Sequence, residues 1–278
     1  MSLEFLKMKT LEKDGCIVHS TSIIGKDVKL GNNVKIGPFC NIDGNIEIND
    51  NCNIISHVCI FSGSGKTIIG SNNTFHPFGT IGNLPQDLKF KNEESFLQIG
   101  DNNVFRESVT VHIGTEVGGY WTKIGSNNLF MVSSHIAHDV VIGDNNIIAN
   151  SVGIAGHVKV GSRTVIGGMS GIHQFCTIGD VAMIGGGSMI RGDVPPFAMT
   201  VNESIRGVNI IGMTRKGYQK SEINIMIKIY RDLFSSSSNF EKRLNDLKKQ
   251  YSNTESAKYL FDFIDQSQQG KMGLCKGQ

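Results

Sequence analysis

The sequence is dominated by a large apolar residue that recurs at every sixth position. From Ile124 to Ile190, twelve successive sixth positions are apolar. With 39% hydrophobic residues in the chain, such a run arises by chance in a given frame with a probability of roughly 10⁻⁵. Neither an α-helix nor an alternating strand has a period of six. Three hexads make one triangular coil of a parallel β-solenoid, so the period predicts an all-β solenoid of hexapeptide repeats.

The same period extends toward the N-terminus in two displaced runs. One begins at Ile24, and another begins at Ile69 after a slip of three residues. Gly, Asn and Asp stand between the aliphatic residues, as at 31–33, and they tolerate the left-handed backbone that tight corners require. Two stretches, 82–98 and 112–123, interrupt the hexads. They are predicted to be surface loops, which on solenoids often contribute to a binding face.

A different organisation follows Pro195-Pro196, where the hexads stop and apolar residues take helical spacing. This change predicts a solenoid domain over residues 1–205 and a small helical domain over residues 206–278. Ser252-x-x-Glu255 predicts a capping box for the last helix, and the serines at 235–238 predict a linker.

Composition and charge exclude several classes of protein. A net charge of +2 gives no reason to expect nucleic-acid binding. No segment approaches the ~20 apolar residues that cross a bilayer, and residues 1–13 lack the apolar stretch of a signal peptide. The six cysteines form no CxxC pair and are interpreted as reduced packing residues. We therefore expect a cytoplasmic protein that neither inserts into membranes nor binds nucleic acid.

Polar side chains gather in the coils that begin near His135. Positions 18 apart stack in neighbouring coils at a spacing of about 4.8 Å. Two such columns carry the polar group: His138, Gly156 and Gln174 in one, and Asp139, His157 and Phe175 in the other. His173 and Asp144 lie in the same coils. An apolar solenoid has no structural need for several imidazoles in consecutive coils, so this grouping predicts a functional site.

The pair His138–Asp139 suggests acid–base chemistry. Imidazole, with a pKa of ~6.5, is a suitable general base for an alcohol or amine nucleophile, and a neighbouring carboxylate can orient the ring. Neighbours on a regular strand face opposite sides, so a contact between them requires a corner or an irregular strand. Gly156 offers an N–H for the oxyanion of acyl transfer. No serine or cysteine is placed as a covalent nucleophile, which favours direct attack by the acceptor.

Two other interpretations are open at this point. His135, His138 and His157 could serve as three ligands of a zinc ion, as in solenoids that resemble γ-carbonic anhydrases. That interpretation leaves Asp87, Lys89 and Gln174 without a role. A purely structural solenoid, such as an ice-binding one, would need a flat ladder of Thr or similar residues, which the sequence lacks.

A set of short motifs is specific in combination. These motifs are Pro85-Gln-Asp-Leu-Lys89, Arg106-Glu-Ser-Val-Thr110, His135-Ile-Ala-His-Asp139, Ala155-Gly-His-Val158, His173-Gln-Phe175, Asp193-Val-Pro-Pro196 and Gly207-Val-Asn209. Together they resemble the UDP-N-acetylglucosamine O-acyltransferases of lipid A biosynthesis, from about residue 16 to the C-terminus. The resemblance implies a left-handed parallel β-helix with a small C-terminal α-helical domain.

The resemblance also implies a reaction. A 3-hydroxyacyl group would move from acyl carrier protein to the glucosamine 3-position of UDP-N-acetylglucosamine, or of its 3-amino analogue. The enzyme would be a homotrimer with active sites between subunits and would need no cofactor or metal. The N-acyltransferase of the same pathway is an alternative.

By resemblance, His138 is the general base, Asp139 its partner and Gly156 the oxyanion donor. The implied substrate contacts are Asp87, Lys89, His135, His157, His173, Gln174, Asn209 and Arg215. The wall that limits acyl-chain length is implied to include Met183 and Gly186.

Overall fold

The computed structural model describes residues 15–234 and 239–277. Contacts divide the chain into two compact units, Met1–Ser151 and Val152–Gln278, which we call the first and second unit. The expectation about a signal peptide in residues 1–13 and the predicted linker at 235–238 lie outside the described residues.

The first unit is built from very short strands. In chain order they are β1 (Ile17–Val18), β2 (Ile23–Ile24), β3 (Val28–Leu30), β4 (Lys35–Ile36), β5 (Asn41–Ile42), β6 (Ile46–Ile48), β7 (Asn53–Ile54), β8 (Cys59–Ile60), β9 (Lys66–Ile69), β10 (Thr74–Phe75), β11 (Thr80–Asn83), β12 (Phe96–Ile99), β13 (Val104–Phe105), β14 (Thr110–His112), β15 (Trp121–Ile124), β16 (Leu129–Phe130), β17 (His135–Ile136), β18 (Val141–Ile142) and β19 (Ile147–Ile148).

Each strand of the first unit pairs in parallel with the third strand along the chain. One sheet therefore runs β1-β4-β7-β10-β13-β16-β19. The other two sheets run β2-β5-β8-β11-β14-β17 and β3-β6-β9-β12-β15-β18. Three strands per coil, one in each sheet, make the parallel solenoid that the hexads predict.

The register of strand pairing explains the shift of the hexad period near Ile69. Lys35 lies opposite Asn53, 18 residues later, which is one regular coil. Ile54 lies opposite Phe75, 21 residues later, so the predicted slip of three residues is confirmed. The two predicted loops correspond to residues 84–95, between β11 and β12, and residues 113–120, between β14 and β15.

The core of the first unit is an aliphatic column with an aromatic section. Phe75, Phe105 and Phe130 stack with successive ring centroids 4.8 Å apart. Beside them the N–H of Asn103 donates to Oδ1 of Asn73 at 2.8 Å, and the N–H of Asn128 donates to Oδ1 of Asn103 at 2.9 Å. Buried amides are stable only when hydrogen-bonded, and this ladder satisfies that requirement between coils.

Corners of the solenoid repeat one backbone geometry. Asn33, Asn51 and Asp139 have φ angles of 57°, 59° and 60°. This left-handed conformation costs most L-residues about 1–2 kcal/mol, whereas Asn and Asp adopt it more readily. The polar residues between the hexads therefore form the predicted corners.

The second unit contains further strands and all four described helices. In chain order its strands are β20 (Gly153–Ile154), β21 (Lys159–Val160), β22 (Val165–Ile166), β23 (Gly171–Ile172), β24 (Thr177–Ile178), β25 (Met183–Ile184), β26 (Met189–Ile190), β27 (Ala198–Val201), β28 (Ser204–Val208) and β29 (Lys276–Gly277). Its helices are α1 (Ile210–Arg215), α2 (Lys220–Phe234), α3 (Phe240–Gln250) and α4 (Glu255–Gln269).

Strand pairing changes within the second unit. β20 pairs in parallel with β23, and β21 with β24, as coils of a solenoid do. β27 and β28 instead form an antiparallel pair. β28 spans the predicted domain boundary at 205/206, and that boundary stays a prediction.

The helices bury one face each, as their spacing predicts. Ile223, Met226 and Tyr230 of α2 are at most 6% exposed. The predicted capping box at Ser252 is wrong: Thr254 is the N-cap of α4 and makes no side-chain cap bond. A turn in which the N–H of Thr254 donates to the carbonyl of Tyr251 at 3.0 Å delays the start of the helix. In the described ranges, no helix combines the length and apolar character needed to span a bilayer.

All six cysteines lie in the described residues and are free thiols, as predicted. Burial raises the pKa of Cys176 and of Cys275 to about 12. Both thiols are therefore protonated near neutral pH and behave as small apolar residues.

Candidate active site

The pair His138–Asp139 occupies the corner between β17 and β18. Asp139 has a φ of 60°, which turns the chain so that two sequence neighbours can face each other. Nδ1 of His138 lies 2.7 Å from Oδ2 of Asp139. The imidazole side chain is 13% exposed and the carboxylate 1% exposed. The contact between these neighbours thus occurs at a corner, as the sequence requires.

The carboxylate of Asp139 is held by the loop 113–120. The N–H of Thr115 donates to Oδ1 at 2.8 Å, and the hydroxyl of Thr115 donates to Oδ2 at 2.6 Å. The N–H of Asp139 donates to Oγ1 of Thr122 at 2.8 Å. A Cβ atom on Gly118 would lie 1.9 Å from Cγ of Asp139, so the absence of a side chain at Gly118 makes room for the carboxylate.

These contacts define the protonation pattern of His138. A carboxylate only accepts hydrogen bonds, so Nδ1 of His138 carries the proton that faces Asp139. Nε2 then has a lone pair and can remove a proton from a substrate. The arrangement can therefore supply a general base whose tautomer is set by its neighbour.

Two further imidazoles lie in the same part of the first unit. Nδ1 of His135 is 2.7 Å from Oγ1 of Thr110, and the ring of His112 meets that of His135 edge-on, with centroids 4.8 Å apart. Burial lowers the pKa of His112 to about 4, with smaller contributions from His135 and His138. Burial also lowers the pKa of His135. Both rings are therefore neutral at pH 7.

Sequence reasoning missed His112 and Thr115. His112 stands at the end of β14, where the hexads break off, and only the fold brings it against His135. Thr115 lies inside an irregular insertion, where no periodicity indicates which way a side chain points. The one available signal was the position of the insertion itself, 113–120, shortly before the histidine motif.

Asp87 and Lys89 lie on the other loop, 84–95. Oδ1 of Asp87 accepts from the N–H of Lys89 at 3.0 Å, and the Lys89 side chain is exposed. This loop contacts the loop 113–120 through Glu93, whose Oε1 accepts from the N–H of Glu116 at 3.3 Å. The two loops therefore support each other beside the solenoid face.

In the second unit, one pair of the predicted columns, His157 beside Phe175, is in contact. The rings of His157 and Phe175 stack with centroids 4.6 Å apart, and the carbonyl of Gly156 accepts from the N–H of Phe175 at 3.2 Å. His173 and Gln174 are exposed.

Met183 and Gly186 lie three residues apart in the second unit. Met183 is half-buried on β25, and Gly186 is exposed in the following corner. The positive φ of that corner, 70°, belongs to Gly187. A Cβ atom on Gly186 would have its nearest contact at 3.2 Å, with the carbonyl oxygen of Gly168. The φ at position 186 therefore does not require glycine, but the backbone at Gly168 would have to yield slightly to a Cβ there.

Asn209 and Arg215 lie at opposite ends of α1. Oδ1 of Asn209 accepts from the N–H of Gly212 at 2.9 Å, and Nδ2 donates to the carbonyl of Val181 at 2.7 Å. The Asn209 amide is thus engaged in capping the helix. Arg215 is exposed in the last turn.

Known proteins match almost the whole chain. Residues 193–272 match the family model described as UDP N-acetylglucosamine O-acyltransferase, domain 2, and residues 122–156 match that of the bacterial transferase hexapeptide (six repeats). The acyl-[acyl-carrier-protein]–UDP-N-acetylglucosamine O-acyltransferase of Rickettsia canadensis is 52% identical over 251 residues, which cover 90% of this chain and 94% of that protein.

Solved structures are also similar to this chain over most of its length. The crystal structure of UDP-N-acetylglucosamine O-acyltransferase from Moraxella catarrhalis has a TM-score of 0.86 at 39% identity, covering 93% of this chain and 99% of that one. The UDP-N-acetylglucosamine acyltransferase of Francisella novicida has a TM-score of 0.88 at 30% identity, with 94% of each chain covered.

These matches confirm the left-handed parallel β-helix with a small C-terminal helical domain. Because identity of about one half extends over nine-tenths of both chains, the protein belongs to the family of acyl-[acyl-carrier-protein]–UDP-N-acetylglucosamine O-acyltransferases.

Proposed function

We propose that the protein transfers a 3-hydroxyacyl group from acyl carrier protein to the glucosamine 3-position of UDP-N-acetylglucosamine, the first step of lipid A biosynthesis. The name of the Rickettsia canadensis relative states the carrier and the acceptor. On this chain, the observation that carries the proposal is the 2.7 Å contact between Nδ1 of His138 and Oδ2 of Asp139. A sugar hydroxyl is a weak nucleophile and needs such a base.

The reaction then proceeds by direct attack. Nε2 of His138 removes the proton of the sugar hydroxyl while its oxygen bonds to the thioester carbonyl carbon. Asp139 stabilises the imidazolium that forms, and the N–H of Gly156 donates to the oxyanion of the tetrahedral intermediate. When the intermediate collapses, the C–S bond breaks, and the carrier thiolate takes the proton back from His138. Atoms and charge balance without a cofactor or a metal ion.

Substrate contacts are part of the proposal. The guanidinium of Arg215 suits a diphosphate, because it donates several hydrogen bonds in one plane. Asn209 is a weaker candidate for the nucleotide, since its amide is engaged in α1. Neutral His135 is suited to hydrogen bonding with substrate rather than to ion pairing. Further proposed contacts are Asp87, Lys89, His157, His173 and Gln174.

We further propose a homotrimer with active sites between subunits, in the cytoplasm, where the carrier protein and the nucleotide sugar are found. A solenoid face can close a pocket only against another wall, and cyclic symmetry commonly supplies one. The first unit exposes Ile23, Phe39 and Phe78 by 57–65% of their surface, which suits contact with another chain. Light scattering on the active enzyme should give the mass of three chains, and an active monomer would contradict the proposal.

An acyl-transfer assay tests the reaction. Purified protein is incubated with 3-hydroxyacyl carrier proteins of several lengths and with either UDP-N-acetylglucosamine or its 3-amino analogue. We expect a 3-O-acyl or 3-N-acyl product and activity that survives chelators. Absence of product with every pair would contradict the proposal. A tightly bound zinc ion whose removal abolishes activity would favour metal chemistry instead.

Chain-length selection is proposed to depend on Gly186 and Met183. A longer side chain at 186 would shorten an acyl groove, and each buried methylene contributes about 0.8 kcal/mol. A side chain there meets no positive φ, which lies at Gly187, but its Cβ would lie 3.2 Å from the carbonyl oxygen of Gly168, so that backbone must shift slightly. Gly186→Met should therefore move the preference from longer to shorter donors by about tenfold or more. An equal loss with all donors would show that position 186 does not measure chain length.

A further inference from the structure

Thr115 directs both of its hydrogen-bond donors at one carboxylate. Its N–H donates to Oδ1 of Asp139 at 2.8 Å, and its hydroxyl donates to Oδ2 at 2.6 Å. Thr115 is 2% exposed. Oδ2 is also the oxygen that lies 2.7 Å from Nδ1 of His138. One loop residue therefore contacts both oxygens of the acid that faces the base.

Backbone groups of the loop make hydrogen bonds that do not involve this hydroxyl. The carbonyl of Thr115 accepts from the N–H of Tyr120 at 2.7 Å and from the N–H of Gly118 at 3.2 Å. These two backbone bonds close the loop between Thr115 and Tyr120. The Thr115 hydroxyl also accepts from the N–H of Gly118 at 3.2 Å, which orients its own proton toward Asp139.

We propose that Thr115 is a positioning residue for acyl transfer, which holds the Asp139 carboxylate so that Oδ2 faces Nδ1 of His138. This inference rests on the proposed function. Thr115 touches neither substrate nor the reacting atoms and acts through Asp139.

The physical reason is the rotational freedom of a carboxylate. The terminal torsion of Asp is broad, so hydrogen bonds rather than rotamer preference decide where its oxygens point. The Asp139 carboxylate is 1% exposed, and bulk water therefore has little access to replace a lost donor. An oxygen with two lone pairs can accept from both Thr115 and His138. Donors to the carboxylate favour its ionised form, which keeps the proton of His138 on Nδ1.

The test compares variants that differ in one hydroxyl. Thr115→Val should lower kcat by about 10–10²-fold, the scale expected for a misaligned catalytic group, and should leave KM within about twofold. Thr115→Ser keeps the hydroxyl and should recover kcat to within about threefold of the parent. If the valine variant fails to fold, Thr115→Ala removes the hydroxyl without a bulky replacement and should show the same loss of kcat.

Thr67 provides the matched control. It is fully buried on β9 and donates its hydroxyl to the carbonyl of Phe61 at 2.6 Å. Thr67→Val should lower the unfolding temperature and leave kcat of the folded enzyme unchanged. An equal loss of kcat in Thr67→Val and Thr115→Val would assign both effects to stability and overturn the proposal.

A double variant separates positioning from the proposed function. In an Asp139→Asn background, Thr115→Val should cause little further loss of kcat, because the carboxylate it positions is gone. If His138→Ala and Asp139→Asn keep full activity, the proposed function of the pair fails. If both lose activity while Thr115→Val keeps parental kcat, or if serine does not recover it, only the positioning role is wrong.

Discussion

Two aspartates five residues apart occupy neighbouring corners and have different partners. Oδ1 of Asp144 accepts from the N–H of Ser126, one coil earlier, at 2.7 Å. The same bond recurs at Asp50, with Asn32 as donor at 2.7 Å, and at Asp101, with Ser71 as donor at 2.6 Å. Asp144 therefore follows the repeat and ties two coils together.

Asp139 departs from that pattern. Its side chain contacts His138 and accepts two hydrogen bonds from Thr115, which lies in the insertion 113–120. The backbone is the same in kind, since the φ of Asp139 is 60° like that of ordinary corners. The solenoid thus supplies the corner, and the non-repeating loop supplies the donors that hold a buried carboxylate beside an imidazole.

Removal of the base should have the largest effect on activity. His138→Ala should lower kcat by about 10²–10⁴, the usual contribution of a general base, with unchanged thermal unfolding because the imidazole is no part of the aliphatic core. Steady-state kinetics with circular dichroism checks this. A variant that keeps most of its activity would show that His138 is not the general base. It would also remove the proposed functional difference between the Asp139 corner and the Asp144 corner.

The second largest expected effect is a loss of stability in acid, caused by His112, which lies against His135. His112 is 4% exposed with a pKa of about 4, against ~6.5 in an unfolded chain. Between these values the unfolded chain binds more protons, so stability is complete above pH ~6.5 and declines as the pH falls toward 4. The loss from this group amounts to about 3 kcal/mol at full extent.

His112→Phe removes that titrating group and should reduce the loss of stability between pH 6.5 and 4. Urea unfolding of both proteins at several pH values measures the difference. Parallel curves for the parent and the variant would show that His112 does not titrate in this window.

Displacement of the Asp139 carboxylate should lower kcat by less than removal of His138 does. In Gly118→Ala the new Cβ would lie 1.9 Å from Cγ of Asp139, so the carboxylate or the loop must move, and kcat should fall about tenfold or more. Gly119→Ala is the neighbouring control, because no atom lies within 4 Å of a Cβ there, although its φ of 88° adds local strain. Equal losses in the two variants would indicate loop strain instead of carboxylate displacement.

A change at Asp144, in a corner that follows the repeat, should have the smallest effect on stability and kcat. Asp144→Asn keeps an oxygen that can accept from Ser126, so stability should fall by at most about 1 kcal/mol and kcat should be unchanged. Denaturant unfolding and the acyl-transfer assay check both statements. A large loss of kcat would show that the Asp144 corner contributes to catalysis after all.

Prediction from sequence succeeded where a local rule repeats. The hexads gave the solenoid and the slip at Ile69, and amphipathic spacing gave α2, α3 and α4. It missed α1, because six residues are too few for an amphipathic pattern and the Asn209 side chain defines the start of that helix. Prediction from sequence placed the N-cap of α4 at Ser252, because the turn that ends at Thr254 has no recognisable sequence pattern.

The sequence by itself determined the coil, its corners and the position of His138–Asp139, because period and residue type act locally and repeat. Only the tertiary structure decided which oxygen of Asp139 faces His138, that Thr115 and Gly118 lie against the carboxylate, and that His112 is buried against His135. These contacts join segments about 24 residues apart through an irregular loop. Their geometry follows from packing, and no spacing along the chain encodes it.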